Sequence, residues 1–288
     1  MPYVSASAMA KAAKAGHYAV GQFNINNLES IRVIMAAAEE VRAPVMLGVS
    51  MGVARQLGGY KTIADTVRNV LEYDGVTVPV CLHADHSTYD AALKALRCGF
   101  SSVMFDGSRL EIEENLRLTR QLAALCHAQG VSLEVEVGPV AGKEDGGAAE
   151  GELADPAECA AMSALGVDLL AASIGNMHGA YPPDWKGLNF PLLHAVREAA
   201  GEVPLVLHGG SGIPEESICR AIELGVCKIN VNSECREAFS EATRRFFLDG
   251  LDQKDSAHMQ LITLRPGLEA VKAVCIEKMR FFGCAGKA

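Results

Sequence analysis

The amino-acid sequence predicts one α/β domain, a (β/α)8 barrel with extra helices at its C-terminal end. Short apolar runs rich in β-branched residues alternate with longer helical patterns along the chain, as in a parallel sheet covered by helices. Eight such runs in 288 residues fit one closed barrel. No boundary divides residues 1–288 into smaller domains.

The predicted strands are bounded by polar or glycine-containing segments. They are YAVGQF from Tyr18, PVMLGV from Pro44, VPVCLHA from Val78, SSVMF from Ser101, VSLEVEV from Val131, DLLAASI from Asp168, PLVLH from Pro204 and VCKINV from Val226. Helical patterns between and after them include NLESIRVIMAAAEEVRA, TYDAALKALRCG, EIEENLRLTRQLAALCHAQG, PEESICRAIELG, SECREAFSEATRRFF and RPGLEAVKAVCIEKMRFF.

Two segments fall outside this alternation. The glycine-rich stretch from Ala141 to Asp155 follows the fifth strand and is expected to be a mobile active-site loop. The polar stretch LDGLDQKDSAHMQ separates the last two helices and is expected to reach a neighbouring subunit.

Polar residues collect at the carboxyl end of every predicted strand. A barrel brings these ends to one face, where barrel enzymes have their active sites, whereas an open doubly wound sheet spreads them apart. The pattern therefore favours the barrel over the open sheet. The residues are Asn24, Ser50, Asp85 with His86, Asp106, Glu136, Asn176 with His178, His208, and Asn230 with Asn232.

The composition argues against several kinds of partner. A net charge of -9 and a pI near 5.4 provide no basic field for nucleic acid. The sequence has no long apolar run and no basic, then apolar N-terminal segment, so we expect no membrane association and a cytoplasmic location. The nine scattered cysteines form no CxxC pair and are expected to be reduced.

Three histidines, His86, His178 and His208, stand near the ends of three separate strands. Each one alone is more simply explained as a strand-end or hydrogen-bonded core residue. Together on one barrel face, three neutral imidazoles would leave a divalent ion such as zinc an open coordination position, as in catalytic sites.

Carboxylates accompany these histidines. Asp85 precedes His86 and is a candidate for orienting an imidazole or transferring a proton, or it is a solvated strand-end residue. Glu134 and Glu136 share one face of a strand. If that face is inward, a cation near Glu136 would offset the cost of burial; if outward, the pair would contact a helix. His83 is expected to be structural.

Two turns are suited to a phosphate group. HGGSG from His208 combines glycines with the start of a helix, so backbone amides and the positive helix end can face an anion. NVNSE places Asn232 or Ser233 to cap the next helix. Phosphate sites in barrels commonly lie beyond strands seven and eight. Lys228 offers a competing Schiff-base chemistry that would leave the histidines unexplained.

The chain resembles the class II metal-dependent ketose-bisphosphate aldolases, particularly the shorter forms that include the tagatose- and fructose-bisphosphate aldolases. The resemblance covers nearly the whole chain, with the motifs in the family's order. The matching segments are GQFNINNLES, VCLHADHS, GFSSVMFDGS, LEVEVGPVAGKEDG, SIGNMHGAY, PLVLHGGSGIP, AIELGVCKINVNSE and FFGCAGKA.

The resemblance implies a zinc ion (Zn2+) held by His86, His178 and His208, with Glu136 as a nearby or alternative ligand. It also implies a monovalent cation, Na+ or K+, near the substrate phosphate. Zinc acts as a Lewis acid that stabilises the negative charge formed when the carbon-carbon bond breaks.

The resemblance also assigns the acids, bases and substrate contacts. Asp85 matches the acid/base on the aldehyde oxygen, and Glu144 matches the loop carboxylate that exchanges a proton with the dihydroxyacetone phosphate carbon. Residues at positions that contact the ketone or its phosphate are Gly179, Gly209, Ser211, Asn230 and Ser233, and the predicted substrate site is completed by Asn24, Ser50, Gly210 and Asn232.

The chain departs from the family pattern at both ends of the site. HADHS replaces the usual HLDHG, so Ala84 and Ser87 alter the surroundings of His86. Leu261 stands where the family's acidic-Pro-Arg segment has an arginine that reaches the neighbouring subunit's site and binds the distal phosphate. Leucine provides no phosphate donor.

We therefore expect a ketose 1-phosphate substrate whose far end is a sulfonate, a carboxylate or an uncharged group, contacted by His258 or Gln260, with Arg265 as an alternative cation. A fructose- or tagatose-1,6-bisphosphate aldolase proper is the alternative. A metal-dependent phosphosugar epimerase and a non-catalytic sugar-phosphate-binding barrel stay open as other functions. By the same resemblance, the chain is expected to form a homodimer or homotetramer.

Overall fold

The computed structural model describes residues 3–144, 147–149, 151–254, 257 and 259–288. Eight parallel strands close into a barrel, and three short strands form a small separate sheet. The barrel strands are β1 Val20–Asn24, β2 Val45–Val49, β3 Val80–Ser87, β4 Ser102–Phe105, β5 Ser132–Val137, β8 Leu169–Ala172, β10 Leu205–Leu207 and β11 Val226–Val231; the small sheet consists of β6 Ala141–Glu144, β7 Gly147–Ala149 and β9 Met177–His178.

Helices surround the barrel and extend beyond it at the C-terminal end. They are α1 Ala6–Gly16, α2 Leu28–Val41, α3 Met51–Gln56, α4 Tyr60–Tyr73, α5 Tyr89–Arg97, α6 Ile112–His127, α7 Pro156–Ser163, α8 Phe190–Ala200, α9 Glu215–Glu223, α10 Ser233–Leu248, α11 Gln260–Thr263 and α12 Arg265–Phe281, with a 3-10 helix at Leu251–Gln253.

The order of the strands around the barrel is β1-β11-β10-β8-β5-β4-β3-β2. This closed parallel arrangement confirms the predicted (β/α)8 barrel and excludes the open sheet. Every residue of β2, β4, β5 and β11 is buried, because the barrel interior covers one face of the sheet and the helices cover the other. All eight carboxyl ends therefore face the same side.

Local sequence explains where several helices begin. Asn27 accepts a hydrogen bond from the Ser30 amide and forms a capping box with that residue, which fixes the start of α2. Thr88 and Asp155 cap α5 and α7 through their side-chain oxygens. Among the described residues, no helix combines the length and apolar character needed to cross a membrane.

The segment Ala141–Asp155 differs from the predicted loop, because part of it forms strands. β6 pairs antiparallel with β7 and parallel with β9, which places Gly142 opposite His178. A Cβ atom on Gly142 would lie 2.0 Å from the carbonyl oxygen of His178, so this approach requires glycine. His178 consequently lies on the small sheet, beyond the carboxyl end of β8 near which the sequence placed it.

The C-terminal helices pack on the barrel exterior, where α12 contacts both α10 and α2. Gly267 lies buried at the contact with α10. A Cβ atom there would lie 2.5 Å from Cδ2 of Phe239 and 2.6 Å from Oγ1 of Thr243. The two helices can approach this closely only with glycine at that position.

We expect Gly267→Val to lower the free energy of unfolding by about 1–3 kcal/mol, because overpacking forces the two helices apart. Urea unfolding followed by circular dichroism measures this change. The control is Glu269→Ala, since Glu269 is 66% exposed on the same helix and its substitution should leave the unfolding midpoint nearly unchanged. Equal midpoints for Gly267→Val and the wild type would contradict the packing argument.

Candidate active site

A cavity opens at the carboxyl ends of the barrel strands, where the sequence predicted the site. Ten residues line it, and nine of them belong to the predicted catalytic, metal or substrate-binding residues; Arg236 is the addition. The lining residues are Asn24, Asp85, His178, Gly179, Gly209, Ser211, Asn230, Asn232, Ser233 and Arg236.

Two predicted substrate residues lie outside this lining. Ser50 is buried and caps α3 by accepting a hydrogen bond from the Val53 amide at 3.3 Å. The Gly210 amide donates to the Asn230 carbonyl oxygen at 2.8 Å, and a Cβ atom on Gly210 would lie 2.4 Å from Cγ2 of Ile229. Gly210 therefore allows the turn after β10 to lie close to β11.

The three predicted metal-binding histidines converge at the edge of the cavity. The ring centroids of His86 and His178 are 4.9 Å apart, those of His86 and His208 are 4.6 Å apart, and those of His178 and His208 are 5.9 Å apart. Each ring offers one nitrogen such that the three nitrogens lie within 4.8 Å of one another. This spacing suits three ligands of a single metal ion.

A backbone irregularity places His86 in this cluster. The register between β3 and β4 shifts between Ala84 and Ser87, and His86 has a φ of 42° in the left-handed region. A non-glycine residue rarely adopts this conformation, which costs energy that the surrounding structure must offset. The shift lets consecutive residues Asp85 and His86 both serve the site, despite the alternation of a regular strand.

Asp106, at the end of β4, fixes the orientation of His86. Nδ1 of His86 lies 3.2 Å from Oδ2 of Asp106, and Ser108 donates to Asp106 Oδ1 from its amide and its hydroxyl. Burial opposes ionisation, but the bonds from His86 and Ser108 lower the pKa of Asp106 well below its usual range. An ionised Asp106 accepts the Nδ1 proton and leaves Nε2 to face the cluster.

The His178 imidazole is held neutral by its surroundings. Burial, followed by the nearby His86 and His208, lowers the pKa of His178 to about 3. A neutral imidazole has a lone pair available, as a metal ligand requires.

His208 has a carboxylate next to each ring nitrogen. Its Nε2 donates to Oε1 of Glu134 at 2.9 Å, and its Nδ1 lies 2.9 Å from Oε2 of Glu136 without a regular hydrogen bond between them. Burial and His86 act to lower the pKa of His208, but Glu134 and Glu136 raise it overall. A cation beside Nδ1 and Glu136 would satisfy both of these buried atoms.

Glu134 and Glu136 both point into the barrel, and the alternative of an outward pair is wrong. Oε1 of Glu136 accepts a hydrogen bond from the Val140 amide at 3.3 Å. His86, Asp106 and Glu136 form a second group with ligand atoms within 4.8 Å of one another, which shares His86 with the three histidines. Glu136 thus lies where a nearby or alternative metal ligand was expected.

Asp85 is 1% exposed and receives three side-chain amides. Its Oδ2 accepts from Nε2 of Gln22 at 2.8 Å and from Nδ2 of Asn24 at 3.4 Å, and its Oδ1 accepts from Nδ2 of Asn230 at 3.3 Å. Burial acts to raise the pKa of Asp85, but nearby cationic groups, with His86 first, lower it to about 2. The positive neighbours keep the carboxylate ionised, and the three uncharged amides orient it.

The opposite wall of the cavity is suited to an anion. Asn232 occupies the N-cap position of α10, but its side chain makes no capping bond, and its buried Oδ1 has no hydrogen-bond partner among the described residues. The first-turn amides of α10 lie beside Ser211 and Ser233, and the Glu234 amide donates to Oγ of Ser211 at 3.4 Å. These amides and the positive helix end favour a phosphate group.

Arg236 adds a full positive charge to this wall, one turn into α10. Its guanidinium forms no ion pair within the part of the chain that the structure describes. The sequence did not single it out, since an arginine in the first turn of a helix most often lies on a solvated face.

The remaining predicted residues belong to the loop and the tail. The backbone of Glu144 ends β6, which pairs with the strand of His178, but its side chain and all of His258 lie outside the described residues. Gln260 and Leu261 are exposed on α11. Arg265 pairs with Glu269 at 2.9 Å. The described members of this group do not line the cavity of their own chain.

The sequence matches the family model for class II fructose-bisphosphate aldolase over residues 4–287. The chain belongs to the class II fructose-bisphosphate aldolase family. It is 46% identical to a fructose-bisphosphate aldolase of Streptococcus pneumoniae serotype 4, with all of both chains covered, and 44% identical to one of Ureaplasma parvum, with 99% of both covered. The solved YdjI aldolase of Escherichia coli K12 superposes with a TM-score of 0.84 at 32% identity over 99% of both chains.

Membership of the aldolase family confirms the resemblance that the sequence motifs indicated. The chain is a lyase of the class II type, whose members generally depend on zinc, and its barrel contains residue groups able to hold a metal ion. A sugar phosphate is the substrate type of this family.

We expect Gln22→Leu to lower kcat/KM for aldol cleavage by about 10-fold, because the substitution removes the shortest hydrogen bond to the buried Asp85 carboxylate. Loss of such a hydrogen bond costs about 1–3 kcal/mol. Steady-state kinetics measures it, with Asp85→Asn defining the loss when the carboxylate itself is removed. Gln121→Leu is the matched control, since Gln121 bonds to Tyr89 on the exterior. Wild-type kinetics for Gln22→Leu would show that the amide does not position Asp85.

Proposed function

We propose that the protein is a zinc-dependent aldolase that reversibly cleaves a ketose 1-phosphate, bisphosphates included, to dihydroxyacetone phosphate and an aldehyde. The observation that carries the proposal is the convergence of His86, His178 and His208, from three separate elements, beside the buried carboxylate of Asp85. Membership of the class II family supports the same reaction.

The donor set of this centre fits zinc. Three imidazoles are favoured zinc ligands, and a fourth position open to the cavity is typical of catalytic sites. Buried Nδ1 of His208 and Oε2 of Glu136 face each other without a hydrogen bond, as expected for two atoms that share a cation. When bound, zinc supplies Lewis-acid stabilisation of the charge that develops on the ketone oxygens.

Asp85 and Glu144 are proposed to move the protons of the reaction. In the cleavage direction Asp85 accepts the proton of the hydroxyl group that becomes the aldehyde, while its three amide donors keep it oriented. Glu144 delivers a proton to the dihydroxyacetone phosphate carbon, and the pairing of β6 with β9 supports its place near His178. The two acids act on different atoms of the substrate.

The 1-phosphate is proposed to lie against the turns after β10 and β11. Gly209, Ser211 and Ser233 contribute backbone and hydroxyl donors, and Arg236 contributes a charge-assisted contact. The Glu234 carboxylate at the start of α10 accepts from the Gly212 amide and is paired with Lys278 at 2.6 Å, which offsets its charge beside this wall. The monovalent cation expected near the phosphate stays a prediction.

The proposal has two forms, which differ in whether the far end of the substrate carries a second phosphate. Leu261 is 67% exposed and offers no donor to an anion. This supports a ketose 1-phosphate without a second phosphate, whereas similarity to fructose-bisphosphate aldolases supports the bisphosphate. The far-end roles of Gln260 and Arg265 require a neighbouring subunit, because neither lines the cavity of its own chain.

The competing chemistries are less well supported. Nζ of Lys228 lies 3.0 Å and 2.9 Å from the two oxygens of Glu134, is fully buried and does not line the cavity, which disfavours a Schiff base. An epimerase would use the same acids without releasing a triose. The retained Asp85 carboxylate disfavours a binding protein without catalysis.

We also propose that residues 1–288 act as one catalytic domain within a homodimer or homotetramer. Apolar side chains exposed near the end of α10 and the start of α11 support assembly, because exposed apolar surface often marks a protein contact. They are Phe247, Leu248, Met259 and Leu261. The cytoplasmic location stays a prediction from the sequence.

Removal of zinc with a chelator should abolish cleavage of fructose 1,6-bisphosphate or fructose 1-phosphate, and stoichiometric zinc should restore it, because the metal held by the three histidines would supply the Lewis acid for cleavage. A coupled assay for dihydroxyacetone phosphate measures both steps. The Schiff-base alternative predicts activity that resists chelation and a product trapped by borohydride at Lys228. Epimerised sugar without triose would contradict aldol cleavage altogether.

We expect ketose 1-phosphates to have a lower KM than 1,6-bisphosphates and a kcat/KM at least about 10-fold higher. The reason is that, among the described residues, the site lacks a second cation to bind the distal phosphate of a bisphosphate. Fructose and tagatose derivatives that differ only in the far-end group provide the comparison. Leu261→Arg should shift the ratio toward the bisphosphate, and Leu261→Met is the matched control. A strong preference of the wild type for the bisphosphates would contradict the hypothesis that the far end of the substrate is not a phosphate.

A further inference from the structure

A fully buried ion pair lies beneath the proposed metal centre. Lys228 on β11 and Glu134 on β5 both have 0% exposure, and Nζ lies 3.0 Å from Oε1 and 2.9 Å from Oε2 of the carboxylate. β8 and β10 separate these strands in the barrel wall, so the pair spans the interior. Neither residue lines the substrate cavity.

The carboxylate of this pair also contacts a proposed zinc ligand. Oε1 of Glu134, the atom bonded to Lys228, accepts a hydrogen bond from Nε2 of His208 at 2.9 Å. A proton on Nε2 leaves the lone pair on Nδ1, which faces Glu136 and the metal centre. The Glu134 carboxylate therefore selects which ring nitrogen is offered to the metal.

The surroundings of Glu134 leave Lys228 as its principal charged partner. His83 is more distant, with Nε2 3.7 Å from Oε2, and its Nδ1 is engaged with the Ser102 hydroxyl at 2.8 Å. A buried carboxylate without its cation would be strongly disfavoured and would turn toward other donors. The position of Glu134, and with it the His208 ring, depends on the ammonium group.

We propose that Lys228 is a positioning residue of the metal centre, which acts through Glu134 to hold His208 with Nδ1 directed at the zinc ion. The inference rests on the proposed function, and it gives Lys228 a role that requires neither a covalent intermediate nor contact with substrate. Partners that orient metal ligands typically change metal affinity by about 10–100-fold when they are removed.

Zinc affinity, measured by chelator competition with the full-length protein, tests this role. Lys228→Met should weaken zinc binding by about 10–100-fold and change the visible absorption of the cobalt-substituted protein, which reports the geometry of the ligands. The double variant Lys228→Met, Glu134→Gln should bind zinc more tightly than Lys228→Met alone. Its glutamine carbonyl can still accept from His208, and no unpaired charge remains.

Lys272→Met is the matched control, because Lys272 pairs with Glu40 at 2.6 Å on the exterior. Its zinc affinity and cobalt spectrum should equal those of the wild type. A folded Lys228→Met protein with wild-type zinc affinity and cobalt spectrum would overturn the positioning role. The same conclusion follows if the double variant binds zinc no better than the single one.

A measurement on the unmodified protein covers the case in which Lys228→Met does not fold. Long-range 1H–15N NMR of the zinc-loaded protein, labelled in histidine, identifies the protonated nitrogen of His208. A proton on Nε2 is expected, and one on Nδ1 would overturn the proposal. Absence of zinc binding by the wild type would instead contradict the proposed function, so the two failures are distinguishable.

Discussion

Closure of eight parallel strands into a barrel is the constraint on which the rest of the structure depends. It brings the carboxyl ends of strands that are distant in sequence to one rim, so residues of β3 and β10 meet above a shared interior. His178 joins them through β9, which the pairing with β6 holds over the rim. β6, which ends at Glu144, and the third histidine are thus parts of one small sheet.

The barrel interior contains charges that a packed apolar core would exclude, and several of them are held by specific partners. Glu134 pairs with Lys228, Asp85 receives three amides, and Asp106 contacts His86. Burial of such groups is tolerated only when their hydrogen bonds and charges are satisfied, and that satisfaction fixes their orientation. The polar interior is therefore a rigid support for the proposed metal centre and for the acid that faces the substrate.

The two ends of the proposed substrate are recognised by different means. The 1-phosphate end meets backbone amides, hydroxyls and the Arg236 guanidinium, all contributed by one chain. Among the described residues, the cavity lining provides no second cation for the far end, and Leu261, which the family resemblance aligns with a phosphate-binding arginine, is exposed. In the proposed homo-oligomer, a second copy of the chain would supply the contacts that decide specificity at this end.

The sequence by itself determined the barrel and the strand-end positions of its polar residues, because strand periodicity and strand-end motifs are local patterns that a parallel barrel gathers on one face. The family resemblance added the other predicted cavity positions, such as Gly179 and Ser211. Only the tertiary structure decided the bulge that turns His86 into the site, the inward direction of Glu134 and Glu136, and the contacts made by Gln22, Asp106 and Arg236. These depend on register and on side chains from other strands, and alternation along one strand cannot specify a partner across the barrel.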